Sequence, residues 1–398
     1  MDCSIAIVGG GASGLAAAVE AARRGASVTV LERLDRVGKK LLLTGNGRCN
    51  LGNEGAAADL YQGDAGLTEA VFAAFGDTRA FFASLGLLCR ADEAGRLYPA
   101  SNAASSVLDA LRLECARLGV TTLCGFRATA LRREGGGFLL TAEDGRQVRA
   151  ERVILAFGGK AAPKLGTDGS AFSLLSPFGL RPTALSPALC PLKCAAPELR
   201  ALKGVRAAAG VRAFRGVRFL GESRGEVQFA EGALSGICVF DLAALQPDRL
   251  ELDLLPELTR EEAEAALLGA LTLRSAAPLE EGLTGLFHKR LGQVLLKKVT
   301  PLPLTSPCSA LGESERRKLA ALAKALPFPV AGGDWDKAQV TRGGVPAGEL
   351  TEELELKKLP GVFLCGEAAD VSGPCGGFNL HWAWASGRQA GAAAAKGA

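Results

Sequence analysis

The pattern of apolar and polar positions opens with a continuous apolar run, Ile5 to Val8, the mark of a strand buried on both faces. An alanine-rich stretch from about Leu15 to Arg24 follows, and then a second apolar run from Ser27 to Leu31. Strand, helix and strand in that order predict a parallel βαβ unit. Val71, Phe72, Phe75, Phe81, Phe82 and Leu85 recur at helical spacing, so one helix is expected over 67–85. Leu87–Cys89 and Arg96–Ser101 read as a hairpin closed by Asp92–Gly95, and Ser105–Leu118 as an amphipathic helix. Val120–Cys124, Ala128–Arg132, Gly137–Thr141 and Arg146–Arg149 alternate as a meander. Arg152–Phe157 is a further buried strand that ends in Gly158 and Gly159.

Near residue 185 the period changes. Val205–Ala208, Val211–Phe214, Val217–Phe219, Glu226–Phe229 and Gly236–Phe240 are short, evenly spaced strand patterns, which suggest a barrel or small sheet. From 256 to 326 the period is helical: Thr259 to Glu262 resembles a capping box, and Leu286–Val299 and Glu313–Leu326 read as helices. Phe328–Val330 and Lys337–Thr341 then read as strands returning to the barrel. A buried strand leads into Gly366 and Glu367, and a glycine-rich loop from Gly373 opens a helix carrying Trp382 and Trp384. The fold class is α/β, a Rossmann-like domain with an inserted β-barrel and a helical subdomain.

The turns carry the candidate chemistry. Gly9, Gly11 and Gly14 stand as G-x-G-x-x-G between the first strand and its helix, and Glu32 closes the second strand. Gly9 permits the tight turn, Gly11 lets backbone approach a pyrophosphate, and Gly14 lets the helix pack on the strand. The helix start offers N–H groups to the phosphates, and Glu32 suits a ribose diol. Lys39, Lys40, Asn46, Arg48 and Asn50 form a donor-rich, glycine-punctuated loop suited to wrapping a polyanionic cofactor. Gly158-Gly159 repeats the strand-then-glycine pattern of close approach to a phosphate-bearing ligand. The helix start at Phe378 to His381 could stabilise negative charge on a ring system.

Composition narrows the classes. The chain has 398 residues and a formal net charge of +4 with no long run of one sign, so no nucleic-acid partner is expected. Eleven cysteines include no Cys-x-x-Cys, and only two histidines are present, so no metal site is expected. The odd count suits reduced thiols in the cytoplasm. No membrane-spanning run and no signal peptide are read.

These motifs together resemble a known family. Gly9 to Gly14 with Glu32, Ala156-Phe-Gly-Gly159 and Gly361 to Glu367 resemble the glutathione-reductase-type FAD-binding fold. Gly38 to Asn50, Gln339 to Val345 and Gly373 to Trp384 are similar to the BaiN/YhiN-like flavoproteins, across nearly the whole chain. The resemblance implies FAD as cofactor, with Glu367 at the ribityl chain. It implies cofactor contacts also from Ala12, Ser13, Arg33, Thr44, Gly45, Cys49, Ala128, Ala156, Gly377, Phe378, Asn379 and Leu380. It implies a discontinuous FAD domain (1–188 and 342–398), an inserted barrel (189–255 and 327–341) and a helical cap (256–326).

The resemblance further implies an oxidoreductase that reduces an activated C=C bond in a small molecule, with NADH or NADPH as a transient electron donor. The absence of a second G-x-G-x-x-G argues against a dedicated nicotinamide domain. Oxidation of a small amine by O2, a structural or sensory flavin, and a plain NAD-dependent dehydrogenase are the competing readings. His381, Tyr98 and Arg342 are the candidate proton donors or carbonyl clamps. The chain departs from the family pattern at Ala230-Glu231, where Thr-His is common, at His381, where Gln is common, and in Gly158–Pro163, which lacks a serine. Oligomeric state and substrate are not legible.

Overall fold

Ile5 to Val8 forms the centre of a parallel sheet, and every residue of this run is buried in a computed structural model that describes residues 2–396. The strand Asp2–Val8 pairs in parallel with Val28–Leu31 on one side and with Gln147–Leu155 on the other. Between the first two lies the helix Ala12–Arg23. The sheet continues outward to Thr121–Leu123 at one edge and to the antiparallel strands Gly137–Ala142 and Ala128–Glu134 at the other. Val362–Leu364 pairs in parallel with the second half of Gln147–Leu155.

That nine-residue strand explains why its pattern reads as two. Its first half alternates buried and exposed residues beside the meander, and its last three residues are buried between parallel neighbours. Thr121–Leu123 is likewise an edge of the parallel sheet rather than part of a meander, because the helix Ala104–Arg117 before it serves as a crossover connection. The single helix expected over 67–85 is two, Ala65–Phe75 and Thr78–Ala83. Gly76 interrupts the run, and Asp77 caps the new helix by accepting from the Ala80 amide at 2.7 Å.

The chain divides into two units: one runs to Pro187 and resumes at Trp335, and the other is Ala188–Asp334. In the second unit six strands close a barrel, in the order Leu192–Cys194, Ala233–Ser235, Arg218–Ala230, Arg206–Arg215, Arg249–Asp253 and Leu326–Gly333. Arg206–Arg215 and Arg218–Ala230 form one long hairpin where four short strands are expected, since Gly210, Gly221 and Gly225 lie within continuous ladders. Gly236–Phe240 is not a strand. Gly236 takes φ +122°, and the helix Ile237–Ala243 follows, burying Cys238, Val239 and Leu242. Val340–Arg342 lies outside the barrel. Helices Arg260–Leu273, Lys289–Val299 and Glu313–Lys324 complete this part of the chain, the first with the predicted Thr259–Glu262 capping box.

In the first unit the C-terminal helix Phe378–Ala395 lies against Ala12–Arg23. Gly387 and Gly391, one turn apart, make this possible: a Cβ on either would fall 2.3 Å from the Ser13 carbonyl oxygen or 2.5 Å from that of Ala17. Small residues on both helices trade side-chain bulk for close backbone approach. No described helix is long and apolar enough to cross a membrane.

Candidate functional site

Three adjacent parallel strands end together. Val8 is level with Leu155, and Leu155 is level with Leu364. Each strand leaves the carboxyl edge of the sheet through a glycine turn: Gly9 to Gly14, Gly158-Gly159, and Gly366-Glu367. Open α/β sheets bind ligands outside this edge.

The first turn has no room where the fold needs contact and open space where a ligand would come. Gly9 takes φ +111°, and a Cβ there would lie 2.4 Å from the Ala156 carbonyl oxygen. A Cβ on Gly14 would lie 1.9 Å from the Gly9 carbonyl oxygen. A Cβ on Gly11 would meet nothing within 4 Å. Gly11 caps the helix without a side chain, so the N–H groups of Ala12, Ser13 and Gly14 at the helix start face outward. Glu32 is buried, its Oε2 accepting from the Gly10 amide and its Oε1 from the Leu34 amide, each at 2.8 Å. The uncapped N–H groups of the helix start and the fixed Glu32 carboxylate beside Gly10 fit a dinucleotide.

The second and third turns are joined by Glu367. Its Oε2 accepts from Lys40 Nζ at 2.9 Å, and its Oε1 accepts from the Thr341 amide at 2.7 Å. Thr341 Oγ1 in turn accepts from the Lys160 and Ala161 amides at 2.7 and 2.9 Å. A Cβ on Gly159 would collide with Thr341 and Glu367, so glycine is required there. Gly366 is held at both ends of its residue: its amide donates to Ser386 Oγ at 3.0 Å, and its carbonyl accepts from Trp382 Nε1 at 3.0 Å. Ser13 packs against Gly366, which ties the first turn to the third. Thr341, Trp382 and Ser386 hold these turns in place and are not among the candidate site residues read from the sequence. Thr341 lies inside the Gln339–Val345 stretch, and that is the only signal that could have found it.

Other expected cofactor residues are partly committed elsewhere. Arg33 forms a bidentate pair with Asp168 at 2.8 and 3.0 Å, and this guanidinium holds the Asp168 carboxyl well below the usual carboxylate range. Lys39 pairs with Asp35 at 2.5 Å. Ala156 follows the central strand with its amide on Val8 O, while Ala128 begins a strand further along the sheet. Thr44, Gly45, Asn46 and Cys49 belong to a strained loop: Gly45, Asn46, Gly47 and Cys49 all take positive φ. Burial pushes the Cys49 thiol up to about 12, so it stays protonated. The Asn50 side-chain oxygen is buried without a hydrogen-bond partner and lies against Gly377, the left-handed residue before the C-terminal helix. Phe378, Asn379 and Leu380 form that helix's first turn. The Asn379 side chain is bound to Gly373 through both its oxygen and its nitrogen, so backbone N–H groups are what this turn offers a ligand.

The candidate chemical side chains take different partners. Tyr98 is half-buried under the Arg48 guanidinium, 4.8 Å from the ring centroid. Arg342 donates to Gln62 at 3.0 Å. His381 is turned inward, packed edge-on against Phe72 with ring centroids 5.0 Å apart. Burial drives its pKa down to about 4, and its Nδ1, which has no hydrogen-bond partner, faces Gly52. A buried neutral imidazole does not fill the proton-donor role read from the sequence, and its position suits packing of the helix start. No group of His, Cys, Asp and Glu suited to a metal occurs among the described residues.

Residues 3–393 match the family model described as HI0933-like protein Rossmann domain. The chain is 39% identical, over 98% of its length and 99% of the other protein, to the 3-dehydro-bile acid delta(4,6)-reductase of Clostridium scindens. It is 27% identical to the ribosomal RNA dihydrouridine synthase of Escherichia coli, over 96% of this chain and 95% of that protein. Among solved structures, the 3-ketosteroid-delta4-(5alpha)-dehydrogenase from Rhodococcus jostii RHA1 has the same fold. The TM-score is 0.54 at 18% identity, covering 99% of this chain and 97% of that one.

Proposed function

Because the chain belongs to the family of the HI0933-like protein Rossmann domain, we propose that it is an FAD-dependent reductase of carbon–carbon double bonds conjugated to a carbonyl, acting on a small steroid-like ketone. The observation that carries this reading is the meeting of the three glycine turns at one sheet edge, in a chain that aligns end to end with a reductase of such a bond. FAD, when bound, supplies hydride transfer to the electron-poor carbon of the double bond. NADH or NADPH is the donor we propose for its reduction.

The chain's own residues bind and orient. The helix start at Ala12 would hold the pyrophosphate, and Glu32 the adenosine ribose. Glu367, fixed by Lys40 and Thr341, would accept from the ribityl hydroxyls. The N–H groups of Phe378, Asn379 and Leu380 favour negative charge at the helix start they share. Tyr98 and Arg342 are the side chains we assign to the substrate, Tyr98 to give a proton and Arg342 to hold the carbonyl oxygen. His381 serves as a positioning residue.

The test is anaerobic. The purified protein is reduced with NADH or NADPH and then mixed with a 4-ene-3-oxo steroid, with a uridine-containing ribosomal RNA fragment, or with O2 plus a primary amine. Reoxidation by the steroid supports the reading. Reoxidation by the RNA alone or by O2 with amine consumption replaces it.

A further inference from the structure

In the second unit, the barrel and its helices line a half-open cleft of about 840 Å³. The apolar part of its lining, called its floor below, is built from small or stiff residues: Gly210 of the barrel, Pro256, and Ala321 and Ala325 of the helix Glu313–Lys324 or its end. These leave an apolar hollow. The charged part of the lining, called its rim below, takes its cations from four separate elements: Arg212, Arg224, Arg260 and Lys324.

Three of those cations are held in place from within the protein. Arg212 pairs with Glu251 at 3.1 Å, Arg224 pairs with Glu257 and donates to the Pro256 carbonyl, and Lys324 pairs with Asp253 at 2.7 Å. Arg260 is different. Among the described residues no ion pair or hydrogen bond engages it, and it is exposed to the cavity. It also stands at the first position of the helix Arg260–Leu273, where the helix dipole disfavours a cation. Local stability therefore gives no reason for an arginine at this point. Glu222, exposed on the facing strand and likewise without a partner among the described residues, is the one rim acid not tied to a cation.

We propose that this cavity binds an amphiphilic organic anion, with its apolar body on the Gly210–Ala321 floor and its anionic group on Arg260. The three paired cations are offset by their own carboxylates, so Arg260 carries the attraction, and Glu222 opposes the anion and sets an upper limit on affinity. The inference stands on this unit alone and does not depend on the proposed reaction.

The experiment is equilibrium dialysis of the full, flavin-loaded chain against 8-anilinonaphthalene-1-sulfonate, with N-phenyl-1-naphthylamine as the same ring body lacking the sulfonate. The proposal expects saturable binding of the sulfonate, with the neutral amine about tenfold weaker, the weight of one charged hydrogen bond. Arg260→Glu weakens the sulfonate by at least that factor, Glu222→Gln tightens it, and Ala321→Trp fills the floor and abolishes it. Arg260 and Glu222 are exposed, so their variants fold. Equal binding of the two dyes, or sulfonate binding that ignores Arg260→Glu and Glu222→Gln, overturns the proposal.

Discussion

Lys40 Nζ donates to Glu367 Oε2 at 2.9 Å, across 327 positions of the chain. The lysine comes from the short helix Lys39–Leu43 after the second strand, and the glutamate from the turn after Val362–Leu364. Their side chains are only 25% and 22% exposed, so this pair is less screened than a surface ion pair. It fastens the helix Lys39–Leu43 to the third glycine turn.

Glu367→Gln keeps the shape of the side chain and removes the charge. Loss of one charge-assisted hydrogen bond is worth about 1.5–3 kcal/mol, so FAD affinity is expected to fall about tenfold or more. Titration of apoprotein with FAD, followed by quenching of flavin fluorescence, measures it. Unchanged affinity in both Glu367→Gln and Lys40→Met would remove these residues from the cofactor site.

Gly11→Ala and Gly14→Ala separate binding from folding. The Cβ at Gly14 strikes the Gly9 carbonyl oxygen, while the one at Gly11 meets open space. Gly14→Ala is expected to cost about 2 kcal/mol or more in stability, as overpacking against backbone does. Gly11→Ala keeps the apoprotein melting temperature and weakens FAD binding. Thermal melts of the two apoproteins, with FAD titrations beside them, decide it. A Gly11→Ala protein that binds FAD normally contradicts the placement of the pyrophosphate.

Ser386→Ala strands the Gly366 amide in a buried position. Such an orphaned donor costs about 1–3 kcal/mol. Trp382→Phe removes one of the two bonds that the Gly366 carbonyl accepts and leaves the weaker one, from the Ala369 amide at 3.2 Å, so its cost is expected to be smaller. Both variants are expected to melt earlier and to hold FAD less firmly, because the peptide they release carries Glu367. A fall in melting temperature with FAD affinity unchanged would limit the two residues to packing.

How much of this was legible in the sequence follows from the physics of each residue. Gly9, Gly14 and Glu32 could be read directly because a βαβ turn leaves so few alternatives. The roles of Lys40 and Glu367 could be suspected from their stretches, but their mutual bond joins distant segments and no local pattern encodes it. Thr341 was invisible as a site residue, since its role is to bind backbone amides of another loop. Glycines misled the strand reading in the barrel: Gly210, Gly221 and Gly225 look like breaks, yet a long hairpin ladder runs through them. His381 misled in the opposite direction. A histidine at a helix start suggests chemistry, and only tertiary packing against Phe72 and Gly52 turns it inward.

That burial makes a pH prediction. The folded pKa of His381 lies near 4, below its ordinary 6.5, because burial disfavours the imidazolium; the nearby Gly76 backbone and Asp77 only partly offset this. A depressed histidine binds a proton in the unfolded chain first. Its contribution is therefore intact above pH 6.5 and is lost as pH falls from 6.5 toward 4. The full loss is about 3 kcal/mol by linkage. His381→Gln is expected to flatten the stability profile in that window, measured by urea melts at a series of pH values. An identical slope in wild type and variant would show that His381 is not the group titrating.

The most direct test of the central claim is a single-turnover measurement on the purified protein. Its FAD is reduced anaerobically, one equivalent of a 4-ene-3-oxo steroid is added, and flavin absorbance and steroid product are followed together. The account predicts that the yellow colour returns as the double bond is reduced, one steroid per flavin, and that Gly11→Ala, stripped of FAD, does neither. A protein that carries no FAD, or a reduced flavin that the enone leaves untouched while O2 reoxidises it, would contradict the account.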